Sequence, residues 1–192
     1  MEQIRKYYKE HFDISERDWK LFSSRFKRKE IPKKTKILDL GETENHLSFV
    51  EKGIVRLYIP KEENDITFGF VFQGAFASAY DSFLTQKPSP YCVETITNSV
   101  LWQLTYQNLQ QVYTESDIGN LIGRKASEDL FLIKSSRELS LLNDTPEERY
   151  LKLFTDRPEL IQQIPLKYIA SYIGITPQAL SRIRKRIVKQ VQ

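Results

Sequence analysis

The spacing of apolar residues along this chain changes from helical to strand-like and back to helical, which limits the fold to separate β and α parts. Between Ile31 and about Tyr106 the sequence holds short runs rich in β-branched and aromatic residues, separated by turn signals. The six runs are KILDLG, LSFVEKG, IVRLYIP, ITFGFVFQG, YCVETIT and SVLWQLTY. Several short strands at this spacing predict an antiparallel sandwich or barrel.

The residues before this β-rich segment have helical spacing. Over the first 27 residues aromatic side chains recur at intervals of three and four, which predicts helix. Ser15 is predicted to cap a helix there, with Asp18 at the third position reaching back to it. Pro32 ends the helical pattern, and we interpret the basic cluster RFKRKEIPKKTK at residues 25–36 as a solvated face.

A long helix is predicted after the β-rich segment. The chain runs without proline from Asp117 to Asn143, which as a helix would extend over roughly 40 Å. Its predicted apolar stripe consists of Ile118, Ile122, Ala126, Leu130 and Ile133. This helix could lie across the barrel, or two copies could pair as a coiled coil. Its length and the small residues Gly119 and Gly123, which permit close approach, favour pairing.

The long helix divides the chain into three predicted parts. Asn143-Asp144 ends it, and TPEE at residues 145–148 then opens a new helix with a capping threonine and a proline at the first helical position. The predicted parts are residues 1–116, 117–143 and 144–192.

The composition excludes several classes of protein and site. A single cysteine, Cys92, allows neither an internal disulfide nor a four-cysteine centre. His11 and His46 lie far apart in the sequence, so we predict no metal site and no cofactor. No apolar run approaches the roughly 18 residues of a membrane span, and the N-terminus lacks the apolar core of a signal peptide. We therefore expect a cytoplasmic protein with no membrane partner.

Positive charge is concentrated at the C-terminal end. The net charge is only +4, but residues 165–192 contain six basic residues and no acidic one. The rest of the chain holds the remaining 23 of the 29 basic residues and all 25 acidic ones. This asymmetry indicates a polyanionic partner for that end of the chain.

The stretch IASYIGITPQALSRIRKR, residues 169–186, predicts two helices packed across a tight turn. Gly174 can adopt the left-handed conformation that ends the first helix. Thr176 is predicted to cap the second helix, with Pro177 at its first position. The apolar residues Ile169, Ile173, Leu180 and Ile183 would face inward, and Ala170 is small where the second helix crosses over it.

The polar residues of the second helix must then face outward. Glutamine can pair with adenine and arginine with guanine in the major groove, so the predicted base contacts are Gln178, Ser181 and Arg182. The predicted phosphate contacts are Thr176, Arg184, Lys185, Arg186 and Lys167. An ordinary helical hairpin with a solvated basic face is the alternative. The glycine, the Thr-Pro cap and the absence of acidic residues favour a DNA-binding helix-turn-helix.

The order of these parts resembles the Crp/Fnr transcription regulators over essentially the whole chain. The resemblance implies an α+β fold with an antiparallel β-roll (a cyclic-nucleotide-binding-like jelly roll) with flanking helices, a long central dimerisation helix, and a winged-type helix-turn-helix with little or no wing. IASYIGITPQALSRIRKRI is the most specific match. Gln178 stands where the family has an acidic base reader, Arg182 where it has a guanine-reading arginine, and Pro177 replaces another arginine. The resemblance thus implies an altered base preference.

The same resemblance places the phosphate-binding cassette at QGAFASAYDSFL, residues 73–84. Nucleotide-binding members carry a glutamate and an arginine where this chain has Ala79 and Pro88. A buried phosphate without a cationic partner is costly, so we do not expect cyclic AMP to bind in the usual way. The residues around the cassette either form a pocket for another effector or belong to the core. These residues are Phe76, Ala79, Tyr80, Phe83, Ser89 and Tyr91.

The combined prediction is a homodimeric, sequence-specific transcription regulator that inserts helix 177–190 into the major groove. The resemblance implies double-stranded DNA, a second copy, RNA polymerase and an unidentified small-molecule effector as candidate partners. No enzyme is predicted, because the sequence has no nucleophile elbow, glycine-rich phosphate loop or zinc-binding histidine pair. The alternative function is a ligand-binding or protein-interaction module without DNA readout.

Overall fold

A computed structural model describes residues 1–191, without the side chains of residues 190 and 191. It contains α1 (Glu2–Phe12), α2 (Glu16–Ser23), β1 (Lys27–Ile31), β2 (Lys36–Leu38), β3 (His46–Lys52), β4 (Val55–Ile59), β5 (Ile66–Val71), β6 (Phe76–Ala77), α3 (Tyr80–Thr85), β7 (Cys92–Thr95), β8 (Ser99–Thr105), α4 (Tyr106–Glu115), α5 (Gly119–Asn143), α6 (Pro146–Asp156), α7 (Pro158–Gln163), α8 (Leu166–Tyr172) and α9 (Pro177–Val191). Within the described residues, no helix has the length and apolar composition needed to cross a membrane.

The strands form two four-stranded sheets, with the orders β1-β8-β3-β6 and β2-β7-β4-β5. The pairs with a described register are antiparallel, as in β3 and β8, where Phe49 lies opposite Trp102. All six predicted strand segments contain a strand. The predicted fold class, an antiparallel β-roll with flanking helices and a long helix, is therefore confirmed.

The sequence did not predict β1 and β6. β1 pairs with β8 at the edge of its sheet, from Lys27 opposite Gln103 to Ile31 opposite Ser99. Its first four residues are exposed, so the apolar alternation that identifies a half-buried strand is absent. The basic cluster predicted as a solvated face is thus partly a charged edge strand, and such charge discourages pairing with another sheet edge. β6 has only two residues, too few for any periodicity.

The N-terminal helical segment is two helices, because Asp13 has a left-handed φ of 47° between them. The Ser15 hydroxyl accepts a hydrogen bond from the backbone N–H of Asp18, as predicted. The Asp18 side chain does not reach back to Ser15. It is buried, and its carboxylate accepts a hydrogen bond from the backbone N–H of Asp117 (3.3 Å). Asp18 thereby fixes the segment that leads into α5.

The chain divides into two compact units. The first unit contains Met1–Ile59 and Gly69–Glu128, and the second contains Pro60–Phe68 and the residues from Asp129 onward. The first part of α5 therefore belongs to the first unit and the rest to the second. The predicted boundaries at residues 116 and 143 remain a prediction.

The second unit includes a segment from between β4 and β5. The hydroxyl of Ser171 on α8 accepts a hydrogen bond from the backbone N–H of Thr67 (2.7 Å) and donates one to the carbonyl oxygen of Asp65. The Lys134 ammonium group lies 5.1 Å from the centre of the Phe68 ring. The two hydrogen bonds of Ser171 join residues about 100 positions apart in the sequence into one unit.

Candidate nucleic-acid interface and candidate effector site

The turn between α8 and α9 has the predicted glycine geometry. Gly174 has a φ of 80°. Its backbone N–H donates to the carbonyl of Ser171 (3.1 Å), and the N–H of Ile175 donates to the carbonyl of Ala170 (3.0 Å). These two hydrogen bonds form a Schellman motif, which requires a left-handed residue at the position of Gly174. The turn is therefore fixed by the backbone and by the one residue type that adopts this φ without strain.

The start of α9 is also as predicted. The Thr176 hydroxyl accepts a hydrogen bond from the backbone N–H of Ala179 (3.2 Å), and Pro177 is the first helical residue. The apolar residues predicted to face inward are buried, together with Ala170. These residues are Ile169, Ile173, Leu180 and Ile183. The packing of α8 on α9 thus determines which residues of α9 face outward.

The outer face of α9 is polar and basic. Gln178, Ser181 and Arg182, the predicted base contacts, are all exposed. All five predicted phosphate contacts are also exposed, namely Thr176, Arg184, Lys185, Arg186 and Lys167. A concavity of about 400 Å³ is lined by Arg182, Lys185, Arg186 and Lys189. These four positively charged side chains come from two consecutive turns of α9.

Two of the basic residues predicted to contact phosphates have side-chain partners within their own chain. The Arg186 guanidinium forms an ion pair with the Glu147 carboxylate on α6. The Lys167 ammonium group lies 4.7 Å from the centre of the Tyr168 ring. Within the described residues, no carboxylate forms an ion pair with Arg182, Arg184 or Lys185. The basic face therefore contains one arginine paired with a carboxylate beside three basic residues that form no such ion pair with the described part of the chain.

Two arginines that the sequence analysis did not identify hold the end of α8. Arg137 on α5 donates to the carbonyl of Tyr172 (2.8 Å), and its guanidinium lies 4.0 Å from the centre of the Tyr172 ring. Arg149 on α6 donates to the carbonyl of Ile173 (2.8 Å). Burial lowers the pKa of Arg137. The carbonyls at a helix C-terminus lack intrahelical partners, so these arginines stabilise the turn and fix it to α5 and α6.

Three of the four aromatic residues of the predicted effector pocket lie in or against the core of the first unit. Phe83 is fully buried, and Phe76 and Tyr80 pack against the same cluster. The ring centres of Phe76 and Phe49 lie 5.2 Å apart in an edge-to-face arrangement. These rings pack in or against the core, and their role as an effector pocket stays a prediction.

The other residues of the predicted pocket make local hydrogen bonds. The hydroxyl of Ser89, which is buried, donates to the carbonyl of Tyr91 (2.8 Å). The phenol of Tyr91 donates to the carboxylate of Asp81, and burial together with this hydrogen bond raises the pKa of Tyr91. The buried Ala79 donates its backbone N–H toward the carboxylate of Glu44 (3.4 Å). The polar atoms around the cassette are thus largely satisfied within the chain.

Glu44 is a buried acidic residue that the sequence analysis did not identify. The residue is only 4% exposed. Its carboxylate also accepts a hydrogen bond from the backbone N–H of His46 (2.9 Å). Its own N–H donates to the Ser82 hydroxyl (3.0 Å) on α3. Burial raises the pKa of Glu44 despite these hydrogen bonds. A buried carboxylate therefore lies against the cassette, where a bound phosphate would require a cation.

Replacing Glu44 with glutamine is expected to change how stability depends on pH. Because the pKa of Glu44 is higher in the folded than in the unfolded state, the folded wild type binds this proton more tightly. Its stability relative to the Glu44→Gln variant should therefore rise as the pH falls from about 7 to about 4.5. Urea unfolding of both proteins across this range would measure the difference. A constant difference would contradict the assignment.

Comparisons with known proteins agree with the two-part architecture. Residues 28–116 match the family model of the cyclic nucleotide-binding domain. No curated protein matches the chain in sequence. The fold resembles that of the c-di-GMP-responsive global regulator CLP of Xanthomonas campestris, with a TM-score of 0.71 at 18% identity over 92% of this chain and 93% of the other. It also resembles a putative transcriptional regulator of the Crp/Fnr family from Eubacterium rectale, with a TM-score of 0.69 at 16% identity over 93% and 85%.

A third similar structure is FixK2 from Bradyrhizobium japonicum, with a TM-score of 0.72 at 15% identity over 86% of this chain and 85% of the other. At these identities the likeness is one of fold. It extends over both units, and the first two of these structures are of regulators of gene expression or transcription. The resemblance on which the sequence predictions rested is confirmed.

Proposed function

We propose that this chain, in which a cyclic nucleotide-binding domain is joined to a helical unit in the fold of the Crp/Fnr regulators, is a transcription regulator that binds DNA as a homodimer through α9. The main support for the proposal is the exposed basic face of α9. This helix follows a turn whose geometry Gly174 and Thr176 determine. A rigid helix with this face has the shape and charge that a major groove accommodates.

The contacts divide by chemistry along α9. Gln178, Ser181 and Arg182 lie in its first two turns, and they carry the amide, hydroxyl and guanidinium groups that read base edges. The residues proposed to contact phosphates are Thr176, Arg184, Lys185, Arg186 and Lys167. The Thr176 hydroxyl accepts one hydrogen bond from Ala179, and its own hydrogen remains available to a phosphate oxygen.

We further propose that the second copy packs against an outer stripe of α5, formed by Phe131, Leu132, Leu139 and Leu142. All four side chains are exposed. At about 100° per residue they fall on one side of the helix, and Leu132 and Leu139 are one heptad apart. An exposed apolar stripe of this kind marks an interaction surface.

This outer stripe differs from the stripe predicted from the sequence. Ile122 is buried in the core of the first unit, and Ile118 packs against that core. Ala126 and Ile133 are exposed and Leu130 is half-buried. Ile133 lies about 120° around the helix from Leu139, so it cannot share one flat interface with the outer stripe.

Two copies related by a two-fold axis would place their α9 helices roughly 34 Å apart, one turn of duplex. Such a dimer predicts a near-palindromic binding site. A small-molecule effector would act only by binding one arrangement of the dimer more tightly than another. Because the Glu44 carboxylate lies against the cassette and residues 79 and 88 carry no cation, we expect no cyclic AMP binding in the usual mode.

The proposal is tested by enrichment from a random duplex pool with the purified protein, followed by a salt titration of the selected site. We expect a palindromic motif with half-sites about one turn apart and a steep loss of affinity with salt. Binding without an enriched motif would contradict sequence-specific readout by the protein alone. Absence of any binding to duplex would favour an interaction module without DNA readout.

A further inference from the structure

The ion pair between Arg186 and Glu147 joins the basic face of α9 to the first turn of α6. The two residues lie 39 positions apart in the sequence, and both belong to the second unit. The Arg186 side chain is 57% exposed and the Glu147 side chain 24% exposed. Glu147 is thus the more buried partner of the pair. Its carboxylate holds the Arg186 guanidinium, which lines the basic concavity.

The two carboxylates in the first turn of α6 have different partners. Glu148 completes a capping box by accepting hydrogen bonds from the backbone N–H and the hydroxyl of Thr145 (both 2.8 Å). These hydrogen bonds lower the pKa of Glu148. The α6 cap is therefore formed without Glu147. The positive end of the α6 dipole stabilises the negative charge of Glu147 in the same turn.

We propose that Glu147 is a positioning residue that holds Arg186 as an internal counterion and thereby weakens the binding of α9 to any duplex. This inference rests on the proposed DNA-binding function. A phosphate that engages Arg186 must displace the Glu147 carboxylate, so this arginine contributes less to the affinity than its exposed neighbours. Because phosphate contacts carry no sequence information, Glu147 sets the strength of binding and not the base preference.

The test is the Glu147→Gln variant, measured by salt titration against the enriched duplex and against a scrambled duplex. We expect the affinity for both duplexes to rise by roughly two- to five-fold near 0.15 M salt, the range that an exposed ion pair can supply. The slope of log affinity against log salt should steepen by up to about 0.9, because one more phosphate is neutralised. A side chain that only supported the fold would not change this slope.

Two controls separate the ion pair from a general effect of charge. Glu159→Gln removes the same charge from the same unit, but Glu159 pairs with Arg157 on α7 rather than with α9. It should leave the affinity and the slope nearly unchanged. In an Arg186→Gln background, Glu147→Gln should no longer raise the affinity, since the two effects are coupled through one contact.

Three results would overturn the inference while leaving the proposed function intact. These are an unchanged affinity of Glu147→Gln, an equal gain in Glu159→Gln, and a gain that persists without Arg186. If the wild type and every variant fail to bind either duplex, the proposed function fails, and the role of Glu147 fails with it.

Discussion

Replacing Arg182 with alanine is expected to remove most of the sequence preference of this protein while leaving salt-dependent binding to any duplex. Arg182 is exposed on α9, within two turns of the Thr176 cap, and lies away from the residues that pack on α8. The fold should therefore tolerate the change. A bidentate contact with guanine contributes about 1–3 kcal/mol of discrimination, so the affinity for the enriched site should fall by roughly 5- to 150-fold relative to a scrambled duplex.

The matched control is Arg184→Ala, which removes the same charge from an exposed position on the flank of α9. It should weaken binding to both duplexes equally and reduce the salt slope by about one. Competition binding against the enriched and scrambled duplexes measures both effects. If Arg184→Ala relaxes the preference and Arg182→Ala does not, the assignment of the base reader is wrong.

Replacing Leu132 with glutamate is expected to convert the dimer to a monomer. Leu132 is 64% exposed in the single chain, so a charge there should not disturb its fold, whereas in a dimer it would be buried without a partner. A monomer contacts one half-site only. The affinity for the palindromic duplex should fall by at least about 100-fold, because the second half-site no longer contributes through its effective concentration.

Sedimentation and duplex binding would measure this effect, with Ile133→Glu as the control. Ile133 is 62% exposed, nearly the same as Leu132, but lies on another side of α5. Its replacement should leave the dimer intact. Dissociation by Ile133→Glu and not by Leu132→Glu would instead support the stripe from Ile118 to Ile133 that the sequence spacing predicts.

The elements that were predictable from sequence are those that local chemistry determines. The Thr145 capping box, the Thr176 cap and the left-handed Gly174 each depend on residues within six positions of one another. The strands with apolar faces were predicted for the same reason. β1 was not, because its charged residues are exposed at a sheet edge and its existence depends on pairing with β8.

The dimer stripe of α5 predicted from the sequence stays a prediction, although Ile122 is buried in the core of the first unit and Ile118 packs against it. Four-residue steps advance about 400° around a helix, so each step drifts by about 40°. The series Ile118, Ile122, Ala126 and Leu130 therefore spreads over about 120° of α5, from residues at the core of the first unit to the exposed Ala126. A heptad step drifts by only about 20° in the other sense, which is why Leu132 and Leu139 remain together.

The side chains that the sequence did not predict act across long separations. Glu44 reaches Ala79, Arg137 reaches Tyr172, and Glu147 reaches Arg186, over 35, 35 and 39 positions respectively. Each is an ordinary charged residue in a loop or helix, and the sequence around it does not indicate which distant residue it contacts. Only the packing of the elements brings these groups together.

The hydroxyl of Ser171, which bridges Asp65 and Thr67, determines how late in synthesis the second unit can finish folding. Its two hydrogen bonds close loops of 104 and 106 residues. At a synthesis rate of roughly 5–20 residues per second, residues 65–67 are made about 5–20 seconds before Ser171. α8, which precedes α9, must therefore pack against a segment made long before it. A polypeptide that terminates before residue 171 is left with a β-roll but without the closure that completes its second unit.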